Sequence, residues 1–172
     1  MPAHSDPHLE PTARAAKVVL EISRTPARLA EVFDDLSHWE RIWRPTAGAW
    51  NCAEIAGHLL DAEIVFSYRV RAALAKSTEI VTPYDQDAWV DSQGYSDVPV
   101  EETLAAFNAL RRNLVLLVTR LTNEELGRHN NHSERGQQTI FETLARMQTH
   151  DTRHLVQLGH VSELARHARP LG

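Results

Sequence analysis

Apolar side chains recur at three- and four-residue intervals over four long stretches of the chain, a spacing that puts them on one face of an α-helix. These stretches predict four helices, named helix 1 to helix 4, over residues 12–36, 51–76, 100–121 and 139–167. The loop between helices 2 and 3 is expected to contain one helical turn around Gln86 to Val90. No stretch shows the alternation of apolar and polar residues that is typical of a strand. The pattern therefore predicts an all-α four-helix bundle.

Local signals refine the ends of these helices. Thr25 followed by proline has the form of an N-cap with proline in the first turn, so helix 1 is expected to be split there. Asn51 and Glu54 have the spacing of a capping box at the start of helix 2. Residues 1–11 hold three of the eight prolines and no apolar periodicity. We therefore expect a flexible leader over 1–11 and a single domain over 12–172.

Composition narrows the class of protein. A chain of 172 residues with 42% hydrophobic and 24% charged residues is typical of one globular domain. A formal charge of −5 argues against a nucleic-acid partner. The longest aliphatic run, residues 114–118, is too short to cross a membrane, and the N-terminus lacks a signal-peptide pattern, so a cytoplasmic protein with no membrane partner is expected. The single cysteine, Cys52, leaves histidines and carboxylates as the groups to hold a metal ion.

Three histidines fall on the flanks of apolar helix faces. His150 and His154 lie one turn apart on helix 4, the separation at which two imidazoles can share a metal ion. His58 lies on a flank of helix 2 and is a candidate third ligand. Three imidazoles leave coordination positions open, as in a reactive metal centre. The alternative for each histidine is packing in the core with one satisfied ring nitrogen. The HExxH metalloprotease motif is excluded because no glutamate follows His150.

Two residues near these histidines are candidates for supporting roles. Asp151 falls within the apolar face of helix 4, where an unpaired carboxylate is costly, so we expect it to meet either Arg111 on helix 3 or the second nitrogen of a ligand histidine. Gln157 projects beside His154, where it either orients a ligand or the substrate or lies at the surface.

Other candidates have equally good structural explanations. Glu54 and Asp61 are expected on the exposed side of His58, as general bases or as a helix cap and a solvated side chain. Cys52 is a candidate thiolate because it lies at a helix N-terminus. Two loop histidines are candidates for adventitious metal binding: His129 and His132. The tryptophans either line a substrate cleft or pack in the core: Trp39, Trp43, Trp50 and Trp89.

The order of Trp50, the segment EIAGHLLDAE at 54–63 and the segment HDTRHLVQ at 150–157 resembles the DinB/YfiT-like four-helix bundle proteins. The resemblance extends from about residue 12 to residue 165. It implies an up-down-down-up bundle and a site for one divalent metal ion formed by His58, His150 and His154. Zinc, nickel and iron all accept imidazole ligands, so the ligand set does not identify the metal.

The resemblance also implies a function. Proteins of this kind are variously described as metal-dependent hydrolases or as S-transferases that use a low-molecular-weight thiol such as bacillithiol or mycothiol. We therefore expect an ion that activates water or a thiol toward a small-molecule substrate. One alternative is a non-catalytic metal-binding or interaction module in which the metal ties helix 2 to helix 4, and another is a helical dimer with an empty site. Leu110 and Leu117, on a face of helix 3 outside one bundle core, predict a homodimer, as the resemblance does.

Overall fold

The computed structural model describes residues 11–168, which form helices and three short strands. The helices are α1 (Pro11–Ser23), α2 (Thr25–Asp34), α3 (His38–Ile42), α4 (Cys52–Leu74), α5 (Gln86–Gln93), α6 (Val100–Val118), α7 (Asn123–Leu126) and α8 (Ile140–Ala168). The strands are β1 (Ile80–Val81), β2 (His129–His132) and β3 (Gly136–Thr139). Residues 1–10 of the predicted leader and residues 169–172 lie outside the described residues, and the division into leader and domain stays a prediction.

The four-helix bundle predicted from the apolar periodicity is confirmed. Helices α4, α6 and α8 correspond to predicted helices 2, 3 and 4, and α1 and α2 together correspond to helix 1. Helix α4 packs against both α6 and α8, and α1 and α2 each pack against the same two helices. No helix in the described part of the chain is both long and apolar enough to cross a membrane.

The split in helix 1 is confirmed, but the predicted threonine cap is wrong. Arg24 occupies the N-cap position of α2 and makes no capping hydrogen bond through its side chain. The hydroxyl of Thr25 instead donates to a carboxylate oxygen of Asp151, 2.8 Å away on α8. A buried carboxylate without a hydrogen-bond donor costs more free energy than a helix N-terminus that water can hydrate, so the hydroxyl stabilises the protein more at Asp151. A partner 126 residues away has thus replaced the local one.

The prediction of no strands is wrong. Strand β2 pairs antiparallel with β3 and parallel with β1, forming a small sheet beside the bundle. The buried residues of β2 are Asn130 and His132, so its alternation is carried by polar side chains that an apolar pattern does not detect. The short turn between β2 and β3 ends at Gly136, whose φ of +68° favours glycine.

The core consists of two clusters of buried apolar side chains. Along α8, His150 and His154 fall between Met147 of the first cluster and Leu158 of the second. Leu117, one of the two residues behind the predicted homodimer, packs against the first cluster and is partly buried there. Leu117 is therefore used in part within the bundle core, which weakens the argument for a dimer interface on α6, and the homodimer stays a prediction.

Candidate metal centre

The imidazoles of three histidines converge where α4 packs against α8. His58 on α4 is fully buried, His154 on α8 is 9% exposed, and His150 is half-buried. The Nε2 atom of His58 lies 3.0 Å from Nε2 of His150 and 3.2 Å from Nε2 of His154. The candidate ligand atoms of the three residues all lie within 4.8 Å of one another. The structure thus brings together the three histidines that the sequence placed on the flanks of helices 2 and 4.

Burial keeps these imidazoles neutral. Loss of solvation lowers the pKa of His58 to about 3 and the pKa of His150 to about 3, and the neighbouring imidazoles add to both shifts. Burial also lowers the pKa of His154, although its hydrogen bond to Gln157 opposes the shift. A neutral imidazole has a lone pair on one ring nitrogen, which is the form that binds a metal ion.

The lowered pKa values predict that the metal-free protein loses stability on acidification. A histidine in the unfolded chain takes up a proton near pH 6.5. Folded His58 and His150, whose pKa values are lowered to about 3, stay neutral at that pH. The unfolded state therefore binds more protons below pH 6.5, and the free energy of unfolding falls by up to about 1.4 kcal/mol per pH unit for each of the two histidines. Above pH 6.5 these histidines are neutral in both the folded and the unfolded state, so they cause no further change in the free energy of unfolding.

Urea unfolding of metal-free protein between about pH 6.5 and pH 5 measures this slope. The variant His58→Gln/His150→Gln retains every carboxylate, so it reports the slope due to the other groups. A slope equal to that of the wild type would show that the two histidines do not titrate as their burial requires.

The side chain of Gln157 orients the ring of His154. Nδ1 of His154 donates to Oε1 of Gln157 at 2.8 Å, three residues further along α8. The ring proton is then on Nδ1, and the lone pair is on Nε2, the atom that faces His58. The sequence left open whether Gln157 orients a ligand or lies at the surface, and the structure provides the contact with His154 that an orienting role needs.

Gln157→Leu is expected to weaken binding of a divalent ion by about 10- to 100-fold, the usual cost of losing a group that orients a metal-binding histidine. The leucine side chain has no acceptor to hold the proton of His154 on Nδ1. Competition with a chromogenic zinc chelator measures the affinity. The variant Gln157→Glu keeps an acceptor and is expected to bind zinc more tightly than Gln157→Leu, whereas equal affinities for both variants would contradict the orienting role.

Asp151 belongs to a buried ionic network instead of contacting a histidine nitrogen. Its Oδ2 accepts from Arg111 at 2.6 Å and from Thr25 at 2.8 Å. Arg111 also donates through Nε to Glu63 at 2.8 Å, and all three charged residues are buried. Of the two partners that the sequence left open for Asp151, the structure provides Arg111. Glu63 was missed, although it lies four residues after Leu59 and seven before Val70 in the sequence, which is the same kind of position within an apolar helix face that singled out Asp151.

The expectation that Glu54 and Asp61 lie on an exposed side of His58 is wrong. Glu54 is 5% exposed; it accepts from the backbone N–H of Asn51 in the capping box and pairs with Arg44. Asp61 is 1% exposed and accepts from the hydroxyl of Tyr95 at 2.7 Å. Arg44 and Asn51 thus occupy the Glu54 carboxylate, whereas Asp61 accepts from Tyr95 and Gln93 through Oδ1 alone and its buried Oδ2 has no hydrogen-bond partner among the described residues.

Aromatic rings border the histidine cluster on two sides. Trp50 lies over it, with its ring centre 4.8 Å from that of His58 and 6.3 Å from that of His154. The ring of Phe66 meets His150 edge-on at 5.7 Å. The three other tryptophans do not have this role in the described contacts: Trp39 packs against Trp43, and Trp89 packs against Tyr84.

The remaining candidates lie away from the cluster. Burial raises the pKa of Cys52 to about 12, so its thiol is not a reactive thiolate. His129 is exposed and His132 is buried on the same strand, where the ring of His132 contacts Arg135 and the backbone N–H of Glu134.

His150 connects the cluster to a cleft of about 710 Å³, a size typical of small-molecule sites. Phe66 and His150 form part of the wall nearest the cluster, and Tyr84 and Phe141 also line the cleft. The cluster is therefore covered by Trp50 on one side and reached through His150 on another.

Comparisons with known proteins agree with this fold. The sequence pattern of the DinB superfamily matches residues 21–158. A relative from Oceanobacillus iheyensis, named "Putative metal-dependent hydrolase", is 25% identical over 131 residues, which cover 76% of this chain and 75% of the relative. A Bacillus cereus relative with the same description is 23% identical over 140 residues, covering 81% of this chain and 80% of the relative.

A solved structure shows the same bundle. It is YfiT from Bacillus subtilis, described as "a probable metal-dependent hydrolase with an unusual four-helix bundle topology". YfiT matches with a TM-score of 0.82 over 92% of this chain and 91% of its own, at 19% identity. The resemblance inferred from the motifs is confirmed by these matches. The names of the relatives and the three-histidine cluster together support binding of a metal ion.

Proposed function

This chain belongs to the DinB superfamily, and we propose that it is a metal-dependent enzyme that binds one divalent ion through His58, His150 and His154. The observation that carries the proposal is the convergence of three Nε2 atoms from two helices, with His58 within 3.2 Å of both others. Packing of isolated histidines in a core does not require their ring nitrogens to converge.

The donor set fits such an ion. The imidazoles are neutral, with His58 and His154 buried and His150 half-buried, and the contact with Gln157 directs the lone pair of His154 toward the other two rings. In the described residues the cluster contains no carboxylate or cysteine. A divalent ion held by three neutral ligands keeps its full charge and supplies the means to acidify water or a thiol.

The protein's own residues supply access and exclusion. His150 lines the cleft, so a small-molecule substrate can approach the cluster from that side. Trp50 packs against the rings of His58 and His154, which limits the access of solvent to those two rings. An open approach supports a reactive site over a metal that only ties α4 to α8, because a structural site is normally closed by a fourth protein ligand.

Hydrolysis is the first candidate activity, since the relatives are named as hydrolases. S-transfer from a low-molecular-weight thiol is the second, because the cleft beside His150 is large enough to hold a small thiol next to the cluster. Both activities use the same three histidines, and they differ in the nucleophile that enters the cleft. Zinc, nickel and iron are all compatible with the ligand set.

Metal analysis of protein purified without a histidine tag tests the proposal, followed by assays with ester and amide substrates and with thiols plus electrophiles. We expect one equivalent of metal per chain and an activity that disappears when the metal is removed and returns when it is restored. Cobalt-substituted protein distinguishes an enzyme from a structural metal site: its visible spectrum is expected to shift on addition of azide or a thiol. An unresponsive spectrum, together with four protein ligands, would favour the non-catalytic module.

A further inference from the structure

Four arginines line the cleft that leads to His150. They come from three elements: Arg69 from α4, Arg135 from the turn between β2 and β3, and Arg146 and Arg153 from α8. The chain as a whole has a formal charge of −5, so this concentration of positive charge is opposite in sign to the rest of the molecule. Clefts lined by one sign of charge attract ligands of the other sign.

None of these four arginines forms an ion pair with a carboxylate among residues 11–168, whereas six other arginines do. Glu142 is the carboxylate among the described lining residues. Its Oε2 accepts from the backbone N–H of Thr139 at 2.8 Å and from the hydroxyl of Thr139 at 2.9 Å, at the start of α8. The positive charge of the cleft is therefore not balanced by a direct carboxylate partner.

Three of the arginines contact uncharged groups, and one of them is Arg135, whose guanidinium lies 2.7 Å from Nε2 of His132. Arg69 donates to the carbonyl of Thr82 at 3.0 Å, and Arg146 donates through Nε to Gln138 at 2.9 Å. Each guanidinium has further N–H groups that these single contacts do not use. Burial, together with the charges of Arg135 and Arg146, lowers the pKa of Arg69. Such repulsion between like charges is relieved when an anion lies between them.

We infer that this cleft binds the carboxylate or phosphate group of a small organic anion and presents the rest of that molecule to His150. The planar guanidinium matches both groups through paired hydrogen bonds. Apolar lining residues suit an apolar body between the anionic group and the histidines: Ala62, Val65, Phe66 and Phe141. The inference rests on the proposed function for what happens at the histidines, although binding of the anion itself needs no metal ion.

Calorimetric titration of protein stripped of metal on a chelating resin tests this inference, since soluble chelators are themselves anions. The probes are phenylphosphate and phenylacetate, which separate a phosphate site from a carboxylate site, and the neutral phenylacetamide. We expect saturable binding of at least one anion, weakened by salt, and weaker binding of the amide. Arg69→Gln/Arg146→Gln is expected to weaken anion binding by about tenfold or more for each arginine removed.

The matched control is Arg112→Gln/Arg120→Gln, which removes the same charge from exposed positions on and just after α6, outside the cleft. Its affinity for the anions is expected to equal that of the wild type. Arg153→Gln changes an exposed lining residue, so it tests the cleft even if Arg69→Gln/Arg146→Gln does not fold. The inference is overturned by absent saturable binding of both anions, by equal binding of the amide, or by wild-type affinity in both cleft variants.

A parallel zinc titration separates this inference from the proposed function. The cleft variants are expected to bind zinc as the wild type does, because none of the arginines belongs to the histidine cluster. Anion binding without zinc binding would support the cleft and overturn the metal centre. Zinc binding without anion binding would do the reverse.

Discussion

His58→Ala is expected to abolish stoichiometric binding of a divalent ion by this protein. His58 is the single candidate ligand from α4, and its Nε2 lies within 3.2 Å of Nε2 of both His150 and His154. Its removal leaves two imidazoles on one helix, so the loss of affinity is expected to exceed the roughly 10- to 100-fold that follows from losing an orienting group. Elemental analysis and zinc competition on untagged protein measure the change.

The matched control is His160→Ala, which removes an exposed histidine from the same helix α8 that carries two of the candidate ligands. It is expected to retain a full equivalent of metal. Circular dichroism shows whether His58→Ala keeps its helices despite the cavity left by a buried ring. Retention of one equivalent by the variant with alanine in place of His58, His150 and His154 would overturn the site.

Arg111→Leu is expected to lower the free energy of unfolding by about 3–5 kcal/mol, the usual cost of removing one partner from a buried ionic network. Arg111 is 1% exposed and donates to Glu63, to Asp151 and to the carbonyl of Ile22. Leucine fills part of the volume but leaves two buried carboxylates without a cation. Urea unfolding monitored by circular dichroism measures the loss.

Neutralising the carboxylates separates charge from packing. Glu63→Gln/Asp151→Asn added to Arg111→Leu is expected to recover part of the lost stability, because neutral amides are less costly to bury than unpaired carboxylates. Arg112→Leu changes the exposed neighbour and is expected to stay within about 0.5 kcal/mol of the wild type. Equal losses for Arg111→Leu and Arg112→Leu would show that the network contributes nothing to stability.

Features set by neighbouring residues could be predicted from the sequence. The capping box of Asn51 and Glu54 forms as its spacing requires, and α4 begins directly after it. The long helices follow the 3.6-residue periodicity of their apolar residues, as α6 does in starting at Val100. The turn predicted from Gln86 to Val90 extends by three residues to Gln93, where Gly94 ends it in a left-handed conformation.

Features that depend on a distant partner could not be predicted in this way. Thr25 precedes a proline, as an N-cap residue often does, but its hydroxyl donates a hydrogen bond to Asp151 on another helix of the bundle. Asp61 falls beside His58 on the helical wheel, yet it is buried against Tyr95, whose ring packs so closely on Gly57 that an added Cβ there would lie 2.1 Å from it. Whether a polar residue on the flank of a helix contacts solvent or another side chain depends on which segment packs against that flank, and the helix's own sequence does not determine this.

The sequence by itself determined four helices, a bundle, and three histidines placed on inward flanks of two of those helices. Helical periodicity decides this much because it is local and locates a side chain to within one face of a helix. The tertiary structure alone decided that the three Nε2 atoms converge, that Arg111 pairs with Glu63 as well as with Asp151, and that four arginines line the cleft at His150. These contacts depend on the rotation and separation of packed helices, which are set by the whole core and not by any one segment.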